Sequence, residues 1–218
     1  CRFVRLKSGV AVGGPDSNFP SVSADGRCIA FESTADDLAQ GDTNGVSDVF
    51  VLDRSNSSIT RVSVGPGGVQ ANGDSFAASI SADGRYVAFC SFADNLVAGD
   101  ANDAADIFVH DRRTGETARV SVGPQGDEVY GDSTAPSISA DGRYVAFTAS
   151  ATSLVPGDFN RVWDVFVHDR ETGTTTQASE SAHGETGNGD SFDPTISGSG
   201  RYVAFCSFAD NLTTGMDI

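Results

Sequence analysis

Apolar residues fall in short β-branched and aromatic runs bounded by Gly, Asp, Asn and Pro, the signature of strands joined by turns. The runs recur: SADGRCIAF begins at 23, SADGRYVAF at 81 and again at 139, and SGSGRYVAF at 197, a constant step of 58 residues. In the second unit the pattern predicts strand A over 78–81, a tight turn with Gly84 free to take positive φ, strand B over 85–91, strand C over 106–112, a second tight turn at 113–116 and strand D over 117–122. Four antiparallel strands per repeat define a propeller blade. Strand B and the first half of strand C are apolar at successive positions, which suits a sheet sandwiched between two neighbours. A β-sandwich would show cleaner alternation and a β-helix a shorter period.

The stretches PSISADGRYVAF and DVFVHDR resemble the TolB-type, WD-like β-propeller repeat, in which a Ser-x-Asp-Gly-Arg turn links the inner strands. The resemblance runs through the whole chain in four copies. It implies an all-β propeller, one domain over 1–218, with units at 20–77, 78–135 and 136–193 and a fourth made from 1–19 with 194–218. It leaves function open, because such propellers serve as periplasmic scaffolds, peptidase gates, ligand binders and surface proteins.

With antiparallel strands the A–B and C–D turns share one face of the disc, and the long B–C and D–A loops share the other. That second face carries STADDLAQGDTNGVSD, SFADNLVAGDANDAAD and GPQGDEVYGDS, so acidic residues should concentrate there. The ends do not match. The chain opens in strand D and stops before a last strand C; four times 58 is 232, against 218 residues. Either the last blade closes with the N-terminal strand, or open edges continue into a longer chain or pair with another copy by strand addition.

Charge narrows the partners. Thirty acidic against 14 basic side chains give a net charge of -16, which disfavours nucleic acid and anionic membranes. No apolar run reaches the ~20 residues of a membrane helix, so no membrane insertion is expected. There is no starting Met, and Cys1 lies inside the repeat, which reads as a processed form or a segment. Cys1, Cys28, Cys90 and Cys206 lack metal-site spacing, and three of them fall in an apolar strand pattern as buried thiols.

The Asp-rich loops are the candidate metal sites. Asp42, Asn44 and Asp48 stand at loop positions 1, 3 and 7, as do Asp100, Asn102 and Asp106, and Asp158, Asn160 and Asp164. Side-chain oxygens at alternate positions can converge on calcium, although the loops lack the further ligands and glycine of an EF-hand. The same residues would equally close Asx-turns before strand C. Arg161 weighs against the third copy, and Met216 replaces the first Asp of a fourth.

The Gly-Asp-Ser tripeptides ending at Ser75, Ser133 and Ser191 imitate a nucleophile motif, but the Asp-Ser pair recurs in every unit, including Asp16-Ser17, which marks it as architecture. The His-Asp-Arg runs at 110–112 and 168–170 suggest a repeated ion pair. Residues that the repeat does not demand are better binding candidates: Trp163, the only Trp, with Tyr130 and His183 in D–A loops. Asn56 and Asn211 begin glycosylation sequons. The expectation is a secreted or periplasmic, non-enzymatic binding or structural scaffold with calcium-ordered loops, its partner a protein, a carbohydrate or copies of itself. The alternatives are a polymer subunit completed by a neighbour's strand and the propeller portion of a hydrolase.

Overall fold

The computed structural model describes residues 17–213; the expectations for Cys1, for the N-terminal closing strand and for Met216 fall outside them. β1 (Ser17–Val22), β2 (Cys28–Ser33), β3 (Asp48–Asp53) and β4 (Ser58–Arg61) form one antiparallel sheet in that order. The same order repeats in β5 (Ser75–Ile80), β6 (Tyr86–Ser91), β7 (Asp106–Asp111) and β8 (Glu116–Arg119), and in β9 (Ser133–Ile138), β10 (Tyr144–Ala149), β11 (Asp164–Asp169) and β12 (Thr174–Gln177). β13 (Ser191–Ile196) pairs with β14 (Val203–Ser207). Each strand A starts three residues before the predicted unit boundary and carries a bulge of one extra residue. The bulge puts Phe19, Ala77, Ala135 and Asp193 at φ between 46° and 54°.

Successive blades pack face to face, and side-chain alternation decides what meets what. Ala88, Cys90, Ile107 and Val109 point toward the third blade and bury against Phe147 and Phe166. Val87, Phe89 and Phe108 point the other way, onto Ala30, Val49 and Val51 of the first. Each complete blade thus presents a phenylalanine pair to one neighbour and small aliphatics to the other; the pairs Phe31–Phe50, Phe89–Phe108 and Phe147–Phe166 have ring centroids 5.9, 5.9 and 6.0 Å apart. The β14 face, without that cover among the described residues, stays exposed at Ala204 and Cys206. This corrects the expectation of a third buried thiol; Cys28 and Cys90 are buried as expected.

Polar bonds repeat with the same period. The Ala24 N–H donates to the Ala82 carbonyl, Ala82 to Ala140 and Ala140 to Gly198, at 2.9 to 3.0 Å, tying each A–B turn to the next. On the turn face Arg27, Arg85 and Arg143 pair with Asp53, Asp111 and Asp169. The predicted ion pair exists, but its arginine comes from the start of strand B rather than from the neighbouring Arg112, which donates to the Gly84 carbonyl at 2.6 Å. His110 and His168 pack between strands with Nδ1 on Thr117 and Thr175.

The serines of the repeated Asp-Ser pairs are structural. Ser17, Ser75 and Ser191 pair through Oγ with Ser33, Ser91 and Ser207. In the third blade the partner position is Ala149, and the buried Ser133 Oγ has no hydrogen-bond partner. Ala149→Ser is therefore expected to stabilise the protein by about 1 kcal/mol, read as a raised urea midpoint at unchanged slope; a destabilised variant would show that the third blade has no room for the pair.

Candidate functional site

The long B–C loop of each blade folds back onto the D–A loop that follows it. In the first blade the Ser47 N–H donates to Asp74 Oδ1 at 2.8 Å, and Asn44 Nδ2 donates to Asp48 Oδ2 and to the Ala71 carbonyl. Asn44 Oδ1 accepts from the Val46 N–H, so its amide is spent on the Asx-turn; Asn102 and Asn160 do the same in their loops. The aspartates face inward. Asp48, Asp106 and Asp164 are buried, each accepting from a serine: Ser63, Ser121 and Ser179.

A cation does sit between the paired aspartates of the first two loops, and it belongs to the protein. Arg61 Nη1 lies 2.9 Å from Asp42 Oδ1 and 3.3 Å from Asp48 Oδ2. Arg119 Nη1 lies 3.0 Å from Asp100 Oδ1, 3.1 Å from Asp106 Oδ2 and 3.1 Å from Glu128 Oε1. Burial works against the charge on Arg119, but Asp106, Glu128 and Asp100 outweigh it and raise its pKa. Burial pushes the Asp100 carboxyl up to about 6, with Arg119 pulling the other way. In these two loops an internal guanidinium stands between the aspartates that the sequence reading offered to calcium. The residue that does this was visible in the repeat as Arg61, Arg119 and Gln177, but nothing local ties it to the loop; it arrives from strand D, paired opposite Phe50 or Phe108.

The third loop lacks that arginine. Gln177 stands opposite Phe166, and Asp158 Oδ1, buried, has no hydrogen-bond partner. Its carboxyl is pushed up by burial and by Asp164 beside it. Arg161, the residue that weighs against this copy in the sequence, is exposed at the loop tip and forms no ion pair with either aspartate among the described residues.

Trp163 occupies the same backbone position as Ser47 and Ala105. All three N–H groups donate to the aspartate that opens the next blade, Asp74, Asp132 or Asp190. The fold needs the backbone and not the indole. The indole lines a cavity of about 280 Å³ with Phe192, Phe208, Thr148, Asp190 and Asp193. Phe192 and Phe208 pack as a tilted pair, 5.3 Å between centroids and 51° between planes, and Phe208 is 77% exposed. Thr148 Oγ1 is buried without a hydrogen-bond partner, and Asp193 is the left-handed bulge residue of β13. Sequence reading found Trp163 but not Phe192, Phe208 or the acids, which recur in part along the repeat and so look architectural.

The other candidates do not join this cavity. Tyr130 is exposed where Asn72 and Asn188 bond the next loop through Asp94 and Asp210. His183 is exposed in the third D–A loop. Asn56 caps the exposed C–D turn by accepting from Ser58. Asn211 Nδ2 donates to the Thr186 carbonyl at 2.9 Å, the same latch that Asn95 makes on Gln70. Among the described residues no helix is long and apolar enough to cross a membrane.

Four sheets stacked in sequence order, strand A of each against strand A of the next, are blades of a β-propeller. No family model and no curated protein matches the sequence. Solved structures do. TolB from Acinetobacter baumannii aligns over 94% of this chain and 43% of its own, at 17% identity and a TM-score of 0.52. The β-propeller domain of the Trilobed protease from Pyrococcus furiosus aligns over 94% and 54%, at 15% identity and 0.55. An oligogalacturonate lyase solved in complex with manganese aligns over 96% and 53%, at 17% identity and 0.55. The fold is that of the TolB-type propellers, and the chain spans about half the length, or less, of those it matches.

These likenesses correct the functional expectation. The expectation put a non-enzymatic scaffold first because the candidate nucleophile motifs recur in every unit, but the same fold at equal similarity builds a protease's propeller domain and a lyase. Fold therefore supports neither that ranking nor the exclusion of enzymes.

Proposed function

We propose that this chain is a recognition segment of a TolB-type propeller that binds a basic, extended stretch of a protein partner on its long-loop face. The observation that carries the reading is Trp163: its backbone does what Ser47 and Ala105 do, while its side chain lines a cavity the repeat does not require. An arginine or lysine entering there would lay its apolar stem along Phe192 and Phe208 and its charge near the indole face, Asp190 and Asp193. The net charge of -16 favours the same partner class by steering encounter. A location outside the cytoplasm, as for the resemblance stated above, belongs to this reading.

Trp163 is the only tryptophan, so its fluorescence reports on the cavity alone. Titration with arginine-containing heptapeptides is expected to shift the emission saturably, with glutamate-containing controls silent. Trp163→Ser, which restores the residue of the first blade, should weaken binding followed by calorimetry at least tenfold at unchanged melting temperature. Equal affinity in that variant, or silence toward every basic peptide, would remove the proposal.

A further inference from the structure

We propose that the third B–C loop binds an oxygen-seeking divalent cation, of the calcium or magnesium class, at the point where Arg61 and Arg119 stand in the first two blades. The three loops share their backbone bonds: the asparagine Nδ2 donates to the buried aspartate at 2.8, 3.0 and 2.7 Å, and a serine donates to that aspartate's other oxygen. In two loops the first aspartate's Oδ1 meets a guanidinium at 2.9 or 3.0 Å. In the third that same atom, Asp158 Oδ1, is unpartnered on a residue only 2% exposed. An adjacent pair of buried carboxylates is costly without a counter-charge, and the repeat itself displays the form of the counter-charge.

Gln177 is an uncharged amide and cannot supply the missing charge, but it brings an amide oxygen on the same strand. Hard divalent cations take carboxylate, amide and water oxygens together. Among the described residues no three His, Cys, Asp or Glu side chains converge, so Asp158 and Asp164 would supply the charge, and Gln177 and water the remaining ligands. The inference is independent of the peptide-binding reading, because it uses neither the indole nor the phenylalanines.

The experiment compares the chain, Gln177→Arg and Asp158→Asn by calorimetric unfolding in chelator, in excess calcium and in excess magnesium. Saturating cation is expected to raise the melting temperature of the unaltered chain by about 5 °C or more. Gln177→Arg should melt higher than the parent in chelator and lose the cation response, since the guanidinium fills the site from within. Asp158→Asn should lose the response without melting lower in chelator. No cation-dependent shift in the parent, or an equal shift in both variants, would overturn the proposal; the first outcome means the loop holds a protonated Asp158, the second that cations act elsewhere.

Discussion

Replacing Arg119 by glutamine is expected to remove about 3 to 5 kcal/mol of folding stability, the range for breaking one side of a buried ion pair. Three carboxylates depend on that guanidinium: Asp100, Asp106 and Glu128, the first two with side chains almost fully buried. Much of the loss is the cost of leaving Asp106 charged in a site with only Ser121 and Asn102 as donors. The equivalent Arg61→Gln should cost less, because Gln70 rather than a third carboxylate completes that cluster.

The pH dependence carries the sign that distinguishes this mechanism. Without the guanidinium the carboxyl pKa values of the folded loop lie further above their unfolded values, so the folded form takes up protons first and the deficit shrinks as pH falls from 7 toward 5. The turn face behaves oppositely. Arg85 and Arg143 hold Asp111 and Asp169 down to about 2, so their contribution is complete above the unfolded carboxyl pKa and is lost only as pH falls through about 2. Urea unfolding of parent and Arg119→Gln at pH 7 and pH 5 tests the first statement. A deficit below about 1 kcal/mol would match a solvent-screened surface pair, and one that grew in acid would contradict the buried-charge account.

Gly142→Ala is the second large effect. Gly142 sits at φ +75° in the third A–B turn, and a Cβ there would lie 2.1 Å from Tyr86 Cδ2 of the preceding blade. The ring cannot step aside easily, because Arg170 lies over it at 4.4 Å and Arg85 at 4.6 Å from its centroid. Overpacking and the left-handed backbone together predict a loss of about 2 to 4 kcal/mol. The double variant with Tyr86→Ala should recover part of it, leaving the backbone term. Additive losses in the double variant would show that the clash is not the cause. Gly84, whose neighbour is the smaller Cys28, should tolerate alanine better.

Both predictions concern contacts between parts of the chain that the sequence shows only as periodic neighbours. In the repeat, Arg119 reads as one more polar residue of an outer strand, and Gly142 as a turn former. Their weight comes from what lies across the sheet or across the blade interface. Trp163 stood out because it has no counterpart in the other units; Phe192 and Phe208 repeat Phe76 and Phe92 and so gave no signal. Arg161 misled because adjacency in sequence places a charge near a loop without deciding where its side chain goes.

By itself the sequence determined the period of 58 residues, the strand pattern of the repeat, the tight turns, the two-sided apolar character of the central strands and the regular Asp-Asn-Asp spacing of the long loops. All of these follow from local rules: side chains alternate along a strand, and glycine, aspartate and asparagine favour turns wherever they occur. Only the tertiary structure decided which charge neutralises which aspartate, that among the described residues no side-chain cation meets Asp158 in the third loop, that Cys206 is exposed and that Trp163 lines a cavity. Those outcomes depend on strand pairing and on blade packing, which bring together residues tens of positions apart, and on burial, which turns a missing partner into a cost.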